Sequence, residues 1–552
     1  MKPTQRLAVG LLAAATVASA AACSSTPGTN TTSTGGSSSS APVSTSAAGG
    51  GAITVRGCTP QNPLIPTNTN EVCGGNVLDA SEAKLVHYNS DTAAPELDIA
   101  ASIDTTDSIH WTVKLNKGYK FQDNTEVKAK NFVDAWNWGA QCSAVQLNSY
   151  FFAPIKGFND PKGDGCNSDA TMSGLAVVDD YTFTIETTDP TSNLIVRLGY
   201  TAFAPQPDAF FADTSADKTA FAKAPIGAGP YQVTEVSDTQ MVLKKFAGYS
   251  GKNKGTVDQI TFKIYNDTTA AYNDVVANNL DLTDVIPSDY LVGDAWKQDA
   301  KDRFGTKDTG VIQVLSFAPA KTDPQLADVR IRQAISMAFD RGLVTQQVFN
   351  GARTPATGWV SPVVDGAKPG QCTYCTFDPV KAKELFTAAG GYTGTLQLWV
   401  NGDGGHDKWA NAVCNQLKNN LGVDCVVSTT PDFKTLRKQI NDRALKGMYR
   451  GGWQMDYPSI ENFLAPIYAT GASSNDTDYS SATFDGLLKQ AAAATDPATA
   501  NGLYQQAEAQ LNIDFPTMPL WYQQSQFIYS TKIKSVKMTP FSTFDFSSIV
   551  LK

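Results

Sequence analysis

From Ala52 onward the chain switches repeatedly between two apolar periods, and that switching limits the fold more than any other feature of the sequence. Period-two runs occur at 52–56, 110–115, 181–186, 260–265, 311–317 and 395–400, as strands with a buried face require. Helical spacing intervenes: 127–142 carries Phe132, Ala135, Trp136 and Ala140, and 329–339 has apolar residues at 329, 334, 335, 338 and 339. Near the end, Thr495-Asp496-Pro497 opens another helix, with a capping carboxylate, Pro in its first turn, and Leu503, Ala507 and Leu511 on one stripe. Strands interleaved with helices over this length predict α/β lobes, and 552 residues suffice for two or three cores. Trp136 and Trp138 fit the core of the helix at 127–142 better than a ligand surface. Asp160-Pro161-Lys162-Gly163-Asp164-Gly165 reads as a turn, because Lys162 stands where a calcium loop needs an oxygen ligand. The sequence shows no internal repeat.

The first residues are an export signal. Lys2 and Arg6 precede an apolar stretch, 7–18, too short to span a bilayer as a stable helix. Ala20-Ala21-Ala22-Cys23 then resembles the lipobox of bacterial lipoproteins, with Ala20 where Leu is usual; cleavage by an ordinary signal peptidase is the alternative. Acylation at Cys23 would leave 1–22 as signal peptide and 23–51 as a tether of Ser, Thr, Gly, Ala and Pro, a composition that cannot bury enough apolar surface to order itself. The expected location is outside the cell, at the outer face of the membrane, cell surface or periplasm.

Export also governs the cysteines. Beyond Cys23 there are eight: Cys58, Cys73, Cys142, Cys166, Cys372, Cys375, Cys414 and Cys425. An even number outside the cell predicts disulfides. Pairing in sequence order would close four short loops, although the spacing does not fix the connectivity. A zinc site is disfavoured, since Cys372-Thr373-Tyr374-Cys375 has no second C-x-x-C and the only histidines are His87, His110 and His406. No metal and no cofactor are expected. A net charge of -9 with no Lys/Arg cluster argues against nucleic acid.

The stretch that bears most on function is Gly451-Gly452-Trp453-Gln454-Met455-Asp456-Tyr457-Pro458, followed by Asn462-Phe463-Leu464. It sets one carboxylate between aromatics, after a Gly pair that allows close backbone approach. Aromatic faces exclude water around such a carboxylate, which strengthens its attraction for an ammonium. Two bland readings compete: a surface turn, or a carboxylate that caps a helix beginning near Ser459.

Several ordered pieces resemble the peptide-binding branch of the bacterial extracellular solute-binding proteins, family five. They are Pro95-Glu96-Leu97 with Lys120-Phe121-Gln122-Asp123-Asn124-Thr125; Val178-Asp179-Asp180-Tyr181-Thr182-Phe183; Pro225-Ile226-Gly227-Ala228-Gly229-Pro230-Tyr231; and Asp328-Val329-Arg330-Ile331-Arg332-Gln333-Ala334 with Asp340-Arg341, then Gly351, Pro355 and Ala356. Leu503-Tyr504-Gln505-Gln506-Ala507 and Phe515-Pro516-Thr517-Met518-Pro519-Leu520 complete the set. Asn124 and Ala228 depart from the family's usual Gly and Thr.

The resemblance implies a type II periplasmic-binding-protein fold: two α/β lobes joined by a hinge, with an extra domain on the first lobe. Lobe I is expected at 52–79 with 192–318 and 522–552, the extra domain at 80–191, and lobe II at 319–521. It implies a non-enzymatic, monomeric protein that captures peptides and delivers them to the transmembrane subunits of an ABC importer. In the family's W-x-x-D-Y segment the Asp meets the ligand's α-ammonium; here that is Asp456, with Trp453 and Tyr457 beside it. Gly451, Gly452 and Met455 of the same stretch, and Pro60, Gln61 and Asn62 of the bend at 59–64, are expected to face the ligand, as is Trp359; Trp521 is a further cleft candidate. The same fold could instead take a sugar, an opine or a metal chelate, or the protein could be a surface lipoprotein that binds nothing. A secreted hydrolase has less support: there is no G-x-S-x-G, and the S-x-x-K tetrads at Ser81–Lys84 and Ser215–Lys218 lack their partner motifs.

Overall fold

A computed structural model describes residues 50–552 apart from 162–165, 167, 168, 216 and 217. The expected signal segment, Cys23 and nearly all of the expected tether lie outside the described residues, as do most of the Asp160 turn and the middle of the Ser215 tetrad.

Each predicted strand and helix has a counterpart. The strands are Ala52–Gly57, His110–Leu115, Thr182–Glu186, Gln259–Ile264, Phe304–Phe317 and Thr395–Asn401. The helices are Ala129–Gly139, Val329–Met337 and Pro497–Asp514. In the last, the Asp496 carboxylate accepts the Thr499 N–H at 2.8 Å, with Pro497 in the first turn, as the sequence required.

The organising element is an eleven-stranded mixed sheet. Its order is Asp424–Thr430, Thr395–Asn401, Met448–Gln454, Phe304–Phe317, Thr517–Tyr529, Leu282–Thr283, Ala52–Gly57, Gln259–Ile264, Gln240–Lys245 and Tyr231–Val236, with Arg353–Pro355 also paired to Thr517–Tyr529. The two longest strands, Phe304–Phe317 and Thr517–Tyr529, run antiparallel through its middle. Their register breaks where Asp308 faces Gln524 and Ile312 faces Tyr522, so residues 309–311 lie opposite Gln523 alone. A bulge of that size bends and twists the pair locally.

On one side of the break, Ile53, Val55, Leu243, Phe262 and Ile533 share a core. The largest core gathers Leu396, Leu398, Trp409, Val413, Phe463 and Leu520 on the other side and extends past the break to Leu280, Trp296 and Ile528. A third core belongs to the four-stranded sheet of Ala100–Thr105, His110–Leu115, Thr182–Glu186 and Leu175–Asp179, covered by helix Ala129–Gly139. Trp136 is sealed in it and donates its indole N–H to the Phe203 carbonyl at 3.1 Å, as the core reading anticipated; Trp138 packs at the edge of a smaller cluster.

The cysteines pair in sequence order: Cys58–Cys73, Cys142–Cys166, Cys372–Cys375 and Cys414–Cys425. The first closes the bend at 59–71 onto helix Val72–Ser81.

Candidate functional site

The site begins with strand Met448–Gln454. One edge pairs antiparallel with Phe304–Phe317, matching Gly451 to Val314, Gly452 to Gln313 and Trp453 to Ile312. The other edge meets Thr395–Asn401 only at Met448 and Tyr449. From Arg450 to Gln454, therefore, no strand among the described residues covers the second edge, and its backbone groups are available to an added chain. Gly452 is needed in this strand: a Cβ there would stand 2.9 Å from the Ile312 carbonyl oxygen.

After Gln454 the chain turns. The Met455 N–H donates to the Gly310 carbonyl at 2.8 Å, which ties the turn to the register break. Asn462, fully buried, holds the turn together from within. Its Oδ1 accepts the Asp456 N–H at 2.8 Å and the Trp453 indole N–H at 3.0 Å, and its Nδ2 donates to Asp456 Oδ2 at 2.9 Å. The short 3-10 helix Ile460–Phe463 takes its cap from Ser459, whose side chain accepts the Glu461 N–H. Asp456 is thus not the capping residue.

Three tyrosines from distant parts of the chain come near enough to interact with Asp456. The Tyr200 hydroxyl hydrogen-bonds to its carboxylate, and Tyr88 and Tyr150 lie within its electrostatic reach. Burial pushes the Asp456 carboxyl up to about 7; the bonds from Asn462 and Tyr200 oppose that rise and the nearby Glu461 adds to it. No cation appears among the groups acting on Asp456. It is a half-buried carboxylate that interacts with tyrosines and, among the described residues, has no ion-pair partner, an arrangement suited to a small cation with N–H groups.

The other expected residues divide. Tyr457 is buried in the third core, its ring 6.1 Å from that of Phe151, and its hydroxyl donates to Glu461. Met455 and Trp359, expected at the ligand surface, are in this structure sealed in the largest core. Trp359 donates its indole N–H to Thr517 Oγ1 at 3.0 Å and its backbone N–H to Glu508 at 2.7 Å. Trp521 is buried likewise, bonded to Gln313. Large apolar side chains lose most by facing water, so these positions serve packing. Pro60, Gln61 and Asn62 are half-buried, but the Gln61 N–H is engaged by the Glu71 carboxylate at 3.2 Å, which also caps helix Val72–Ser81. The Tyr200 hydroxyl is influenced by both Glu71 and Asp456.

Sequence reasoning missed Tyr88, Tyr150 and Tyr200, for which no spacing rule gives a signal. It also missed Arg450 on the open-edged strand. That guanidinium has a buried Nε without an acceptor, and its pKa is pushed down to about 10 by burial and by Arg437.

A family model described as the bacterial extracellular solute-binding proteins, family 5, middle region, matches residues 94–475. The chain belongs to that family. Among relatives of this family 5 protein, the periplasmic oligopeptide-binding protein OppA of Escherichia coli K12 is 26% identical over 443 residues, which is 78% of this chain and 79% of that protein. The fold is similar to that of the E. coli murein tripeptide binding protein MppA, with a TM-score of 0.81 at 23% identity over 92% of this chain and 99% of that one. It is also similar to Haemophilus influenzae OppA in complex with RPPGFSPFR, with a TM-score of 0.80 at 20% identity over 91% and 99%. The family 5 architecture is therefore the one implied by the sequence: two α/β lobes with a hinge and an added domain.

Proposed function

We propose that this protein captures peptides with a free N-terminus between its lobes and delivers them to the transmembrane subunits of an ABC importer, held at the outer face of the membrane by a lipid on Cys23. The observation that carries the reading is Asp456, a half-buried carboxylate that follows strand Met448–Gln454 and, among the described residues, has no cation partner, just as no described strand covers the second edge from Arg450 to Gln454. An extended peptide adds to such an edge through N–H and C=O groups that are the same whatever its side chains, which favours broad capture. Its terminal ammonium, paired with Asp456, fixes the register. The names of the relatives, an oligopeptide binder and a murein tripeptide binder, support a peptide as the ligand.

Closure occurs about a hinge that we place at the break opposite Gln523. The passages between lobes then fall at 309–311 and at Gln523, which gives lobe I at 52–79, 192–308 and 524–552, the extra domain at 80–191 and lobe II at 312–522. Trp453, held by Asn462, and the strand glycines Gly451 and Gly452 form one wall; the bend at Pro60, Gln61 and Asn62 contributes the other. Titration with one peptide in unblocked and N-acetylated forms tests the assignment. The unblocked form binds at least tenfold more tightly; equal affinities refute the role of Asp456. Mass spectrometry of small molecules that co-purify identifies the natural ligand.

A further inference from the structure

Beside Asp456 lies a second acidic group that ligand capture does not require. Glu461 is buried; one oxygen accepts from Arg197 Nη2 at 2.9 Å, and the other accepts from the Tyr457 hydroxyl and from Asn193 Nδ2 at 3.4 Å. The Arg197 guanidinium stands 5.4 Å from the centroid of the Tyr457 ring. Burial works against the charge on Arg197, and Glu461 more than offsets it, so the guanidinium stays charged.

The partners belong to segments packed in different cores. Arg197 closes the short helix Leu194–Arg197, and Leu194 and Leu198 pack into the core of the four-stranded sheet. Glu461 follows strand Met448–Gln454 between Ile460 and Phe463, both members of the largest core. Tyr457 crosses in the same direction, with its ring among Phe151 and its neighbours. An ion pair, the Asn193 amide hydrogen bond and an aromatic ring therefore join the two segments, while the Tyr457 hydroxyl bond orients Glu461 from within its own segment.

The charges explain why such a bridge is useful. Asp456 and Glu461 are two interacting carboxylates, and among the described residues the cation that pairs with either is Arg197. A ligand ammonium supplies the second cation. We propose that Arg197 and Glu461 form an interlobe latch, an ion pair made as the lobes close, which keeps Glu461 from competing for the ligand cation and slows the ligand's departure. The proposal rests on lobe closure as read above and not on the ligand being a peptide. On opening, both groups return to water, so the pair acts on the balance of open and closed forms, and any change in that balance changes apparent affinity by the same factor.

The test measures the radius of gyration of the ligand-free protein by X-ray scattering at pH 7.5, and the affinity and dissociation rate of unblocked tetraalanine. In Glu461→Gln and Arg197→Met the ligand-free radius increases and tetraalanine binds at least tenfold more weakly, mainly through faster dissociation. The double variant is no weaker than the worse single one. Folded single variants with the wild-type radius and wild-type dissociation overturn the latch. Should either fail to fold, Asn193→Ala removes only the amide hydrogen bond to Glu461 that crosses beside the ion pair; it produces a smaller change in the same direction, and no change overturns the proposal. If tetraalanine does not bind the wild type, the peptide reading fails, and the scattering comparison alone decides the latch.

Discussion

Replacing Asp456 with Asn separates what this residue does for the ligand from what it does for the fold. The substitution keeps the shape and leaves Asn462 Nδ2 an oxygen to bond, while it removes the charge. In the ligand-free protein that charge is a burden. The carboxyl is raised from 3.8 to about 7, so between those values the folded state holds a proton that the unfolded state has lost, and stability falls as pH rises through the window. At about 1.4 kcal/mol per pH unit the ceiling is about 4 kcal/mol, and partial exposure reduces it to roughly 1–3 kcal/mol. Above pH 7 the Asn variant is therefore more stable than wild type by that amount, and at pH 4 the difference disappears. Ligand binding moves the other way. Removing one member of a desolvated charge pair costs roughly 2–5 kcal/mol, which corresponds to a loss of about 30-fold to 5000-fold in affinity for an unblocked peptide. Thermal unfolding at pH 4 and 8, with calorimetric titration of the peptide at pH 7.5, measures both effects. A variant that binds within threefold of wild type, or that is destabilised at pH 8, refutes the reasoning.

The same carboxyl makes peptide affinity depend on pH. Below about 7 the wild type must lose a proton to form the pair, and affinity drops by up to tenfold per pH unit, a slope absent in Asp456→Asn; calorimetry from pH 5 to 7.5 reads it. Gly452→Val drives a side chain against the Ile312 carbonyl and crowds the open edge, so peptide affinity falls at least tenfold, and unchanged binding would rule that edge out as the peptide's seat. Replacing Cys58 and Cys73 with Ser releases a loop of 15 residues and lowers unfolding free energy by about 3 kcal/mol, measurable by denaturant titration; it also loosens the bend that carries Gln61 and Asn62.

Much of the frame was readable because it is set by local chemistry. Asp496 and Pro497 start a helix wherever the chain places them, and a period-two run such as 395–400 needs only one buried face to become a strand. Near-neighbour cysteines likewise paired in order, since a short loop keeps their sulfurs close. The limit is plain in strand Phe304–Phe317. Its second half was predicted from the alternation at 311–317, whereas residues 304–310 are largely polar or Gly and are held as strand by pairing with Thr517–Tyr529, more than 200 residues away.

The functional region divides in the same way. Trp453, Asp456 and Asn462 lie within ten residues, and their mutual hydrogen bonds come from a local turn, so the segment could be recognised in isolation. Proximity along the chain could not say that Met455 turns inward to a core, that Tyr457 gives its hydroxyl to Glu461, or that Tyr88, Tyr150 and Tyr200 come near enough to interact with the carboxylate. Residue type supplies a charge and a shape. Only the fold sets the desolvation that raises Asp456 to about 7 and the partner that spends Glu461 on Arg197, because both depend on groups brought together by burial from distant parts of the chain.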